Sequence, residues 1–379
     1  MKHWKTTFSL AHIGAALYEQ VIGNRTQETP VIAHFSGDEI RITLSNYYSL
    51  YQTEILGASV YNSTQKTGPV RFLFGSCSGC IVEPETQIQS DSAFLTVKQG
   101  DQLMIRIAFA PETRALSGQG LTFARHSEAG DYTMEPVFPV SDEEIWVFPK
   151  RPFDAGEPTF LLSQIDILTE QEGISLAVLG DSNGFMRMWT APLEKMMEEK
   201  GLPCVVLNQS ISGNRLLSDT AKEIPGQLFG FSAKRRYNID INSLCGLIHI
   251  IFAIGGNDLY QPGTMAAPND SVPSAQELFE TLQMLNAKAK EKGLKTYAAT
   301  LTPFSGAEGT PSGRQEIQKE LNRKLLECNE FDAILDFYAW LVEKDGCGMD
   351  SRFDSGDHLH INPEGGKLIA QKSMNYIRR

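Results

Sequence analysis

The chain has 379 residues, of which 41% are hydrophobic and 21% are charged. This composition is typical of globular proteins, and the length suggests two or three domains that each bury their own core. No apolar run approaches the roughly 20 residues that a helix needs to span a bilayer. The formal net charge of −12 argues against binding to nucleic acids or anionic membranes, because phosphate recognition needs clustered cations. One short basic stretch, Lys234–Arg236, is predicted to be a solvent-exposed patch.

Residues 1–165 contain short segments in which apolar and polar residues alternate. Gly, Asn, Ser and Pro separate these segments, as expected for strands joined by turns. The clearest examples are 39–45, 70–74, 94–97 and 103–109. The pattern predicts an antiparallel β-sandwich as the first domain.

Residues 166–379 show a different pattern, in which apolar runs alternate with segments of helical spacing. A linker is predicted to begin within Lys150–Thr159, which contains two prolines and a glycine. The predicted helices are Phe185–Lys200, Ser274–Lys292 and Gln315–Cys328, and the predicted strands include Cys204–Leu207, Leu247–Ile254, Lys295–Leu301 and Ala333–Asp336. This alternation predicts an α/β domain with a doubly wound parallel sheet and helices on both faces.

The apolar segment Leu176–Gly180 is followed at once by Asp181 and Ser182. The carboxyl end of a strand in an open parallel sheet faces the crevice where such sheets bind ligands. A serine at this turn could act as a nucleophile, and its backbone N–H could bind an oxyanion. The alternative is an ordinary turn in which Asp181 and Ser182 only cap the next helix.

Three further polar clusters supply groups that a serine nucleophile needs. They are Asn208–Arg215, Gly255–Asp258 and Asp357–His360. A serine hydroxyl is a weak nucleophile and requires a base, which a histidine oriented by a carboxylate provides. The negative charge that develops on the attacked carbonyl requires preorganised hydrogen-bond donors.

The four clusters, taken in order, resemble the four sequence blocks of the SGNH (GDSL) hydrolase family. Those blocks are Gly-Asp-Ser, a glycine after the second strand, Gly-x-Asn-Asp and Asp-x-x-His. The resemblance covers residues 174–379 and implies the flavodoxin-like SGNH hydrolase fold. It also implies a serine esterase that works through an acyl-enzyme.

The resemblance assigns a role to each matching residue. Ser182 would be the nucleophile, His360 the base and Asp357 the carboxylate that orients it. The oxyanion hole would consist of the N–H groups of Ser182 and Gly213 and the side-chain amide of Asn257. A simple turn role is the alternative for the glycine and for the asparagine.

The last cluster departs from the family pattern, which usually has proline directly after the catalytic histidine. Here residues 361–362 come between His360 and Pro363. This insertion makes His358 an alternative base, although the Asp-x-x-His spacing favours His360.

The residues on either side of Ser182 are less informative. Asn183 stands where the older family name has leucine, a position that the family varies freely. For Asp181, a role limited to bracing the turn stays open.

The six cysteines indicate neither a metal site nor a disulfide framework. Cys77 and Cys80 form a Cys-x-x-Cys pair, but no second pair at zinc-ligand spacing exists, and the β-rich surroundings do not suit redox activity. Gly75–Gly79 imitates a nucleophile elbow around a cysteine, yet no helical pattern follows it. We therefore predict no catalytic role for this segment, and no metal or cofactor.

The first half of the chain adds a second resemblance. Residues 42–46 and 209–217 resemble a subgroup that pairs a β-sandwich with an SGNH domain and is described as aryl, acyl or xylan-acetyl esterases. A sandwich that binds carbohydrate would expose aromatic rings on one sheet face. The candidates are Tyr47, Tyr48, Tyr51 and Tyr61, with core or loop positions as the alternative.

These observations predict a serine esterase that removes short acyl groups, acetyl above all, from sugars or oligosaccharides. The expected partner is a small-molecule or oligosaccharide ester, and the oligomeric state stays open. The alternatives are a lysophospholipase or thioesterase, and a non-catalytic carbohydrate-binding protein. Residues 1–7 lack the apolar core of a signal peptide, so we expect a cytoplasmic protein, while a trimmed leader leaves secretion as the alternative.

Overall fold

The computed structural model describes residues 1–14, 20–115, 117–143, 157–201, 203–224, 227–310, 312–344, 346 and 348–377. The chain forms two compact units. The first comprises Met1–Gly173 with residues 225–228 and Leu244–Gly246, and the second comprises Ile174–Ile224, Phe229–Ser243 and Leu247–Arg379. Residues 150–156 of the predicted linker, and Cys347, lie outside the described residues.

The first unit consists of strands. They are β1 (His3–Ser9), β2 (Ile13–Gly14), β3 (Gln20–Val21), β4 (Arg25–Ile32), β5 (Gly37–Ser45), β6 (Thr53–Asn62), β7 (Val70–Phe72), β8 (Cys80–Val82), β9 (Gln87–Gln89), β10 (Ala93–Val97), β11 (Gln102–Phe109), β12 (Arg114–Ala115), β13 (Ser117–Ala129), β14 (Glu157–Phe160) and β15 (Leu162–Thr169). The predicted boundary after residue 165 falls inside β15. This strand pairs with β1 and β5, and the unit accordingly extends to Gly173.

Two large antiparallel sheets build the first unit, together with a two-stranded antiparallel sheet of β3 and β12. One has the order β1-β15-β5-β10, with β9 also on β5, and the other has the order β14-β13-β4-β11-β6-β7, with β2 on β13 and β8 on β6. Alternate residues of each sheet, such as Ile40 and Ile42 in β5 and Ile105 and Ile107 in β11, enter one shared apolar cluster. The predicted antiparallel sandwich is confirmed, because the period-2 pattern points one face of each strand into this core.

The candidate tyrosines of the first unit have different surroundings. Tyr48 is buried in the core, whereas Tyr51 is exposed. Tyr61 donates a hydrogen bond to Glu28 and lies against the guanidinium of Arg106. Tyr48 and Tyr61 therefore have structural roles, and carbohydrate binding by this unit stays a prediction.

The second unit contains strands and helices. They are β16 (Ile174–Gly180), α1 (Ser182–Phe185), α2 (Thr190–Glu198), β17 (Cys204–Asn208), α3 (Ala233–Asp240), β18 (His249–Ala253), α4 (Gly256–Tyr260), α5 (Ala275–Glu291), β19 (Lys295–Ala299), α6 (Arg314–Glu327), β20 (Ala333–Leu335), α7 (Phe337–Leu341) and α8 (Pro363–Ser373). The strands pair in parallel in the order β17-β16-β18-β19-β20. This order, with its switch between β16 and β18, confirms the predicted flavodoxin-like doubly wound sheet.

Both faces of this parallel sheet are covered. On one face Leu176, Val178 and Ile251 join an apolar cluster with Trp189 and Leu193 of the α2 region, to which α7 and α8 also contribute. The residues that alternate with them in β16 and β18 are fully buried as well. Burial on both faces explains why these strands are continuous apolar runs rather than alternating ones.

Two sequence-based expectations were wrong in detail. The predicted helix Phe185–Lys200 begins only at Thr190, as α2, because the backbone of Arg187 has a φ of +59° and interrupts the helical path after α1. Arg236, which was expected in an exposed patch, is fully buried. No helix among the described residues is long and apolar enough to cross a membrane.

Candidate active site

Ser182 lies directly beyond the end of β16, a central strand of the sheet. Asp181 caps α1, and its carboxylate accepts a hydrogen bond from the Asn183 N–H at 3.2 Å. Burial raises the pKa of Asp181 to about 6, against the opposing effects of that N–H and of the charge of His360. The strand-to-turn junction thus holds Ser182 at the carboxyl edge of the sheet, where its hydroxyl meets residues from other loops.

His360 connects Ser182 to Asp357 through both of its ring nitrogens. Its Nε2 lies 2.9 Å from Ser182 Oγ and its Nδ1 lies 2.6 Å from Asp357 Oδ2, although serine and histidine are 178 positions apart in the chain. The other carboxylate oxygen of Asp357 accepts the N–H groups of Leu359 and His360 at 2.9 and 2.8 Å. Partial burial works against ionisation of Asp357, yet these hydrogen bonds and the imidazole hold its pKa well below the ordinary value.

His358, the alternative base, has a different partner. Its Nδ1 lies 2.6 Å from Asp354 Oδ2, and its side chain is 56% exposed. The structure therefore brings His360, and not His358, within hydrogen-bond distance of Ser182.

The two inserted residues before Pro363 have structural partners. Ile361 is fully buried in the core, and the Asn362 side chain caps α8 by accepting the Gly365 N–H at 3.0 Å. The Ile361 N–H donates to the Asn183 side-chain oxygen at 3.0 Å. Asn183 thus ties the loop that holds His360 to the turn that holds Ser182, a contact that its place in the sequence did not reveal.

Gly213 lies in the loop that follows β17. Its φ is +74°, and a Cβ atom here would lie 2.4 Å from the ring of Phe229, so neither the backbone nor the space admits another residue easily. The Gly213 carbonyl accepts a hydrogen bond from the Gln261 side chain at 2.6 Å. Gly213 therefore lies in a turn that favours glycine, as the alternative role supposed. Its hydrogen bond to Gln261 holds this turn in place.

Asn257 and Asp258, at the start of α4, hold the same loop. One hydrogen of the Asn257 amide is donated to the Asn214 carbonyl at 3.1 Å, which leaves the second hydrogen of the NH2 group for another acceptor. The Asp258 carboxylate accepts the N–H groups of Leu216 and Leu217 at 2.6 and 2.9 Å. Burial raises the pKa of Asp258 to about 6.

The family model of GDSL-like lipases and acylhydrolases matches residues 169–368, which is more than half of the chain. The chain belongs to this family. The predicted resemblance to SGNH (GDSL) hydrolases is confirmed, and the protein is an acylhydrolase.

Several solved structures are similar to this acylhydrolase over about half of its length. The acetyl xylan esterase AlAXEase is 16% identical, with a TM-score of 0.41, and the match covers 54% of this chain and 100% of that one. A GDSL-like lipase from Bacteroides thetaiotaomicron is 13% identical, with a TM-score of 0.39 and coverages of 53% and 86%. The psychrotrophic esterase EstA from Pseudoalteromonas sp. is 17% identical, with a TM-score of 0.37 and coverages of 53% and 95%. No curated protein matches the chain.

A small pocket opens beside Ser182 in the acylhydrolase. Its cavity volume is about 40 Å³. Ser182 and Asn257 line it together with apolar side chains, among them Trp189, Leu301, Phe304, Phe337, Leu359 and Ile369. Because about 10–15 Å³ is the least volume that holds one water molecule, this cavity is small. The predicted nucleophile and the predicted amide donor thus share one small, largely apolar pocket.

Arg236 is a structural residue of the site that the sequence did not reveal. Its guanidinium donates to the carbonyls of Gly180 and Gln209, at 3.3 and 2.6 Å, and to Asn214 Oδ1 at 3.0 Å. The Asp240 carboxylate, four residues later in α3, accepts a further hydrogen bond at 2.8 Å. One buried cation therefore joins the strand end before Ser182 to the loop around Gly213. The Arg-x-x-x-Asp spacing was the available signal, but it does not show that this helix face is buried.

Among the residues that the structure describes, no three His, Cys, Asp or Glu side chains form a group that could hold a metal ion. Cys77 is an exposed free thiol and Cys80 is partly buried, with burial raising its pKa to about 12. A thiol with a raised pKa is a poor nucleophile and a poor metal ligand.

Proposed function

We propose that this acylhydrolase is a serine esterase that removes short acyl groups, acetyl foremost, from hydroxyl-bearing molecules such as sugars and oligosaccharides. The observation that supports it most is the hydrogen-bonded series from Ser182 Oγ through His360 to Asp357. The Asp357 carboxylate accepts Nδ1–H and leaves Nε2 free to take the serine proton. Because its pKa is lowered, the Asp357 carboxylate stays charged well into the acid range and keeps its hydrogen bond to the imidazole.

In the proposed reaction, Ser182 Oγ attacks the ester carbonyl carbon while His360 Nε2 takes its proton. The carbonyl oxygen becomes an oxyanion, for which we assign the Ser182 and Gly213 N–H groups and the second hydrogen of the Asn257 amide as donors. When the carbon–oxygen bond to the alcohol breaks, His360 returns the proton to the departing alcohol. A water molecule, deprotonated by His360, then attacks the acyl-enzyme carbonyl. The bond to Ser182 Oγ breaks, His360 returns the proton to the serine, and the acid is released.

The size of the pocket supports a short acyl group. Its small volume of about 40 Å³ favours a short acyl group such as acetyl over a long one. Each additional methylene gains about 0.8 kcal/mol only if it is buried. A longer chain would leave its carbons in water or displace the pocket wall, so catalytic efficiency should fall with chain length.

A carbohydrate alcohol is supported by the resemblance of residues 42–46 and 209–217 to the sandwich-containing esterase subgroup. A lysophospholipase or thioesterase would need a larger apolar cavity for its acyl chain than the one beside Ser182. These alternatives make opposite predictions about acyl length, and they can therefore be distinguished with simple esters.

The test is a panel of 4-nitrophenyl esters from acetyl to decanoyl, measured beside acetylated xylo-oligosaccharides. We expect the highest kcat/KM on acetyl esters and a steady fall beyond butyryl. Activity that rises toward octanoyl or decanoyl esters would instead support the lipase-like or thioesterase alternative.

Ser182→Ala is the matched control for that panel. It removes one hydroxyl, so the fold and the melting temperature should stay as in the wild type while nearly all turnover is lost. Wild-type turnover by this variant would overturn the assignment of the nucleophile, and absence of turnover by the wild type on every ester would overturn the proposed function.

A further inference from the structure

The loop that supplies His360 holds a second histidine on a second aspartate. Asp354 Oδ2 lies 2.6 Å from His358 Nδ1, and the carboxylate side chain is only 5% exposed. The other oxygen, Oδ1, accepts the N–H groups of Gly356 and His358 at 2.8 and 3.0 Å. These two N–H groups already hold the loop, so its backbone does not require the imidazole.

His358 is next to residues that line the Ser182 pocket. The next residue, Leu359, lines that pocket, and so does Phe304 on the loop after β19. The His358 ring packs against Gly306 of this second loop, where a Cβ atom would meet ring carbons at 3.5 and 3.6 Å. The imidazole therefore contacts the loop of Phe304 and is adjacent in the chain to Leu359, and both of these residues line the pocket.

The His358 side chain is exposed, yet Asp354 fixes its orientation and its backbone is strained. Its backbone has a φ of +59°, a conformation that non-glycine residues adopt only at an energetic cost. The contact of Nδ1 with the Asp354 carboxylate engages one ring nitrogen and leaves Nε2 for a hydrogen bond to another molecule. The loop thus presents an exposed imidazole, with its Nδ1 held by Asp354, next to residues that line the pocket.

We propose that His358 Nε2 accepts a hydrogen bond from a free hydroxyl on the alcohol half of the substrate, with Asp354 as the residue that positions the ring. This inference rests on the proposed esterase function and specifies its substrate class further. The preferred alcohol carries a hydroxyl close to the ester, as a partly acetylated sugar does. Alcohols without such a hydroxyl lose this contact and react through Ser182 alone.

The experiment compares two acetate esters that differ in the alcohol only. One is a monoacetylated methyl xyloside with free neighbouring hydroxyls, and the other is the same ester with those hydroxyls O-methylated. The wild type should prefer the free-hydroxyl ester by about five- to tenfold in kcat/KM, the value of one hydrogen bond. Equal rates on the two esters would overturn the proposal while leaving the esterase function intact.

Two variants separate hydroxyl binding from a structural role of the ring. His358→Asn keeps a donor for Asp354 and tolerates positive φ, but it is too short to replace Nε2, so the preference between the two esters should disappear. His358→Gln reaches about as far as Nε2 and should restore part of the preference. A fall of equal size on both esters in the Asn variant would show a structural role only, and unchanged preference in both variants would show that His358 does not contact the alcohol.

Discussion

The two units of the chain use buried polar side chains for different purposes. In the first unit Glu28 of β4 binds Arg106 of β11 and Arg125 of β13, and so ties adjacent antiparallel strands together. In the second unit Arg236 and Asp258 bind loops at the carboxyl ends of parallel strands, around Ser182 and Gly213. The buried polar network in the antiparallel unit links neighbouring strands of one sheet, whereas the one in the parallel unit links loops at the edge of the sheet around the candidate site.

The histidines show the same difference. His12 in the first unit is almost fully buried, with its ring nitrogens 3.0 Å from Ser117 Oγ and 3.1 Å from the Leu162 carbonyl. His360 in the second unit is partly exposed and joins Ser182 to Asp357. Both imidazoles have a hydrogen-bond partner on each side, so only burial and the nature of the partners distinguish a structural histidine from a catalytic candidate.

The largest expected effect separates these two histidines. His360→Ala should lower kcat by about 100- to 10,000-fold, because serine without its base is a weak nucleophile. The free energy of unfolding should change little, because the ring is partly exposed. His12→Ala should leave kcat close to wild type but cost about 2–3 kcal/mol of stability, through a cavity and an unpaired partner. Ester hydrolysis and urea unfolding measure the two quantities.

His358→Ala is the control for the choice of base. On 4-nitrophenyl acetate it should lose far less activity than His360→Ala, because its ring is bound to Asp354 and not to Ser182. The reverse ranking would show that His358 is the base and that the inserted residues shift the motif.

The sequence predicted the architecture of both units because each strand type has its own pattern. Glu39–Ser45 alternates, since one face of β5 enters a sandwich core, and Leu176–Gly180 is continuously apolar, since helices cover both faces of its sheet. The interruption at Arg187 was missed, because the apolar spacing continues across it while the backbone φ changes sign.

The candidate site was predictable in part. The Asp-x-x-His spacing let one loop supply both Asp357 and His360, and the resemblance to a family supplied the pairing with Ser182, which no local pattern contains. The supporting contacts were not predictable. Arg236 and Asn183 act through hydrogen bonds to residues far away in the chain, and periodicity gives no information on such contacts.

The response to acid should also differ between the units. Burial lowers the pKa of His12 and His126 in the first unit to about 4, whereas histidine in an unfolded chain titrates near 6.5. As the pH falls from about 6.5 toward 4, the unfolded state binds protons that the folded state does not, so stability is lost. Between pH 7 and pH 5, each of these histidines should lower the free energy of unfolding by about 2 kcal/mol.

In the second unit two carboxyls oppose this loss. Asp181 and Asp258 titrate near pH 6 when folded, above their unfolded value of 3.8, so their contribution to stability rises as the pH falls from about 6 to 4. This gain in stability offsets the loss that His249 causes. Burial lowers the pKa of His249 to about 4. Hydrogen exchange at pH 7 and pH 5 should show protection falling in the first unit and largely kept in the second. Earlier loss of protection in the second unit would contradict the prediction.

The smallest expected effect concerns the contact between Asn183 and Ile361, which ties the serine turn to the histidine loop. Asn183→Leu removes the acceptor and leaves the Ile361 N–H unpaired, so His360 should be held less firmly and kcat should fall about tenfold, the value of one hydrogen bond. Asn183→Asp keeps the acceptor and should stay within about threefold of wild type. The rate at which a fluorophosphonate probe labels Ser182 gives a second readout, since labelling also requires a correctly placed base. Wild-type kcat and labelling rate in the leucine variant would show that the neighbouring turns hold the base without this bond.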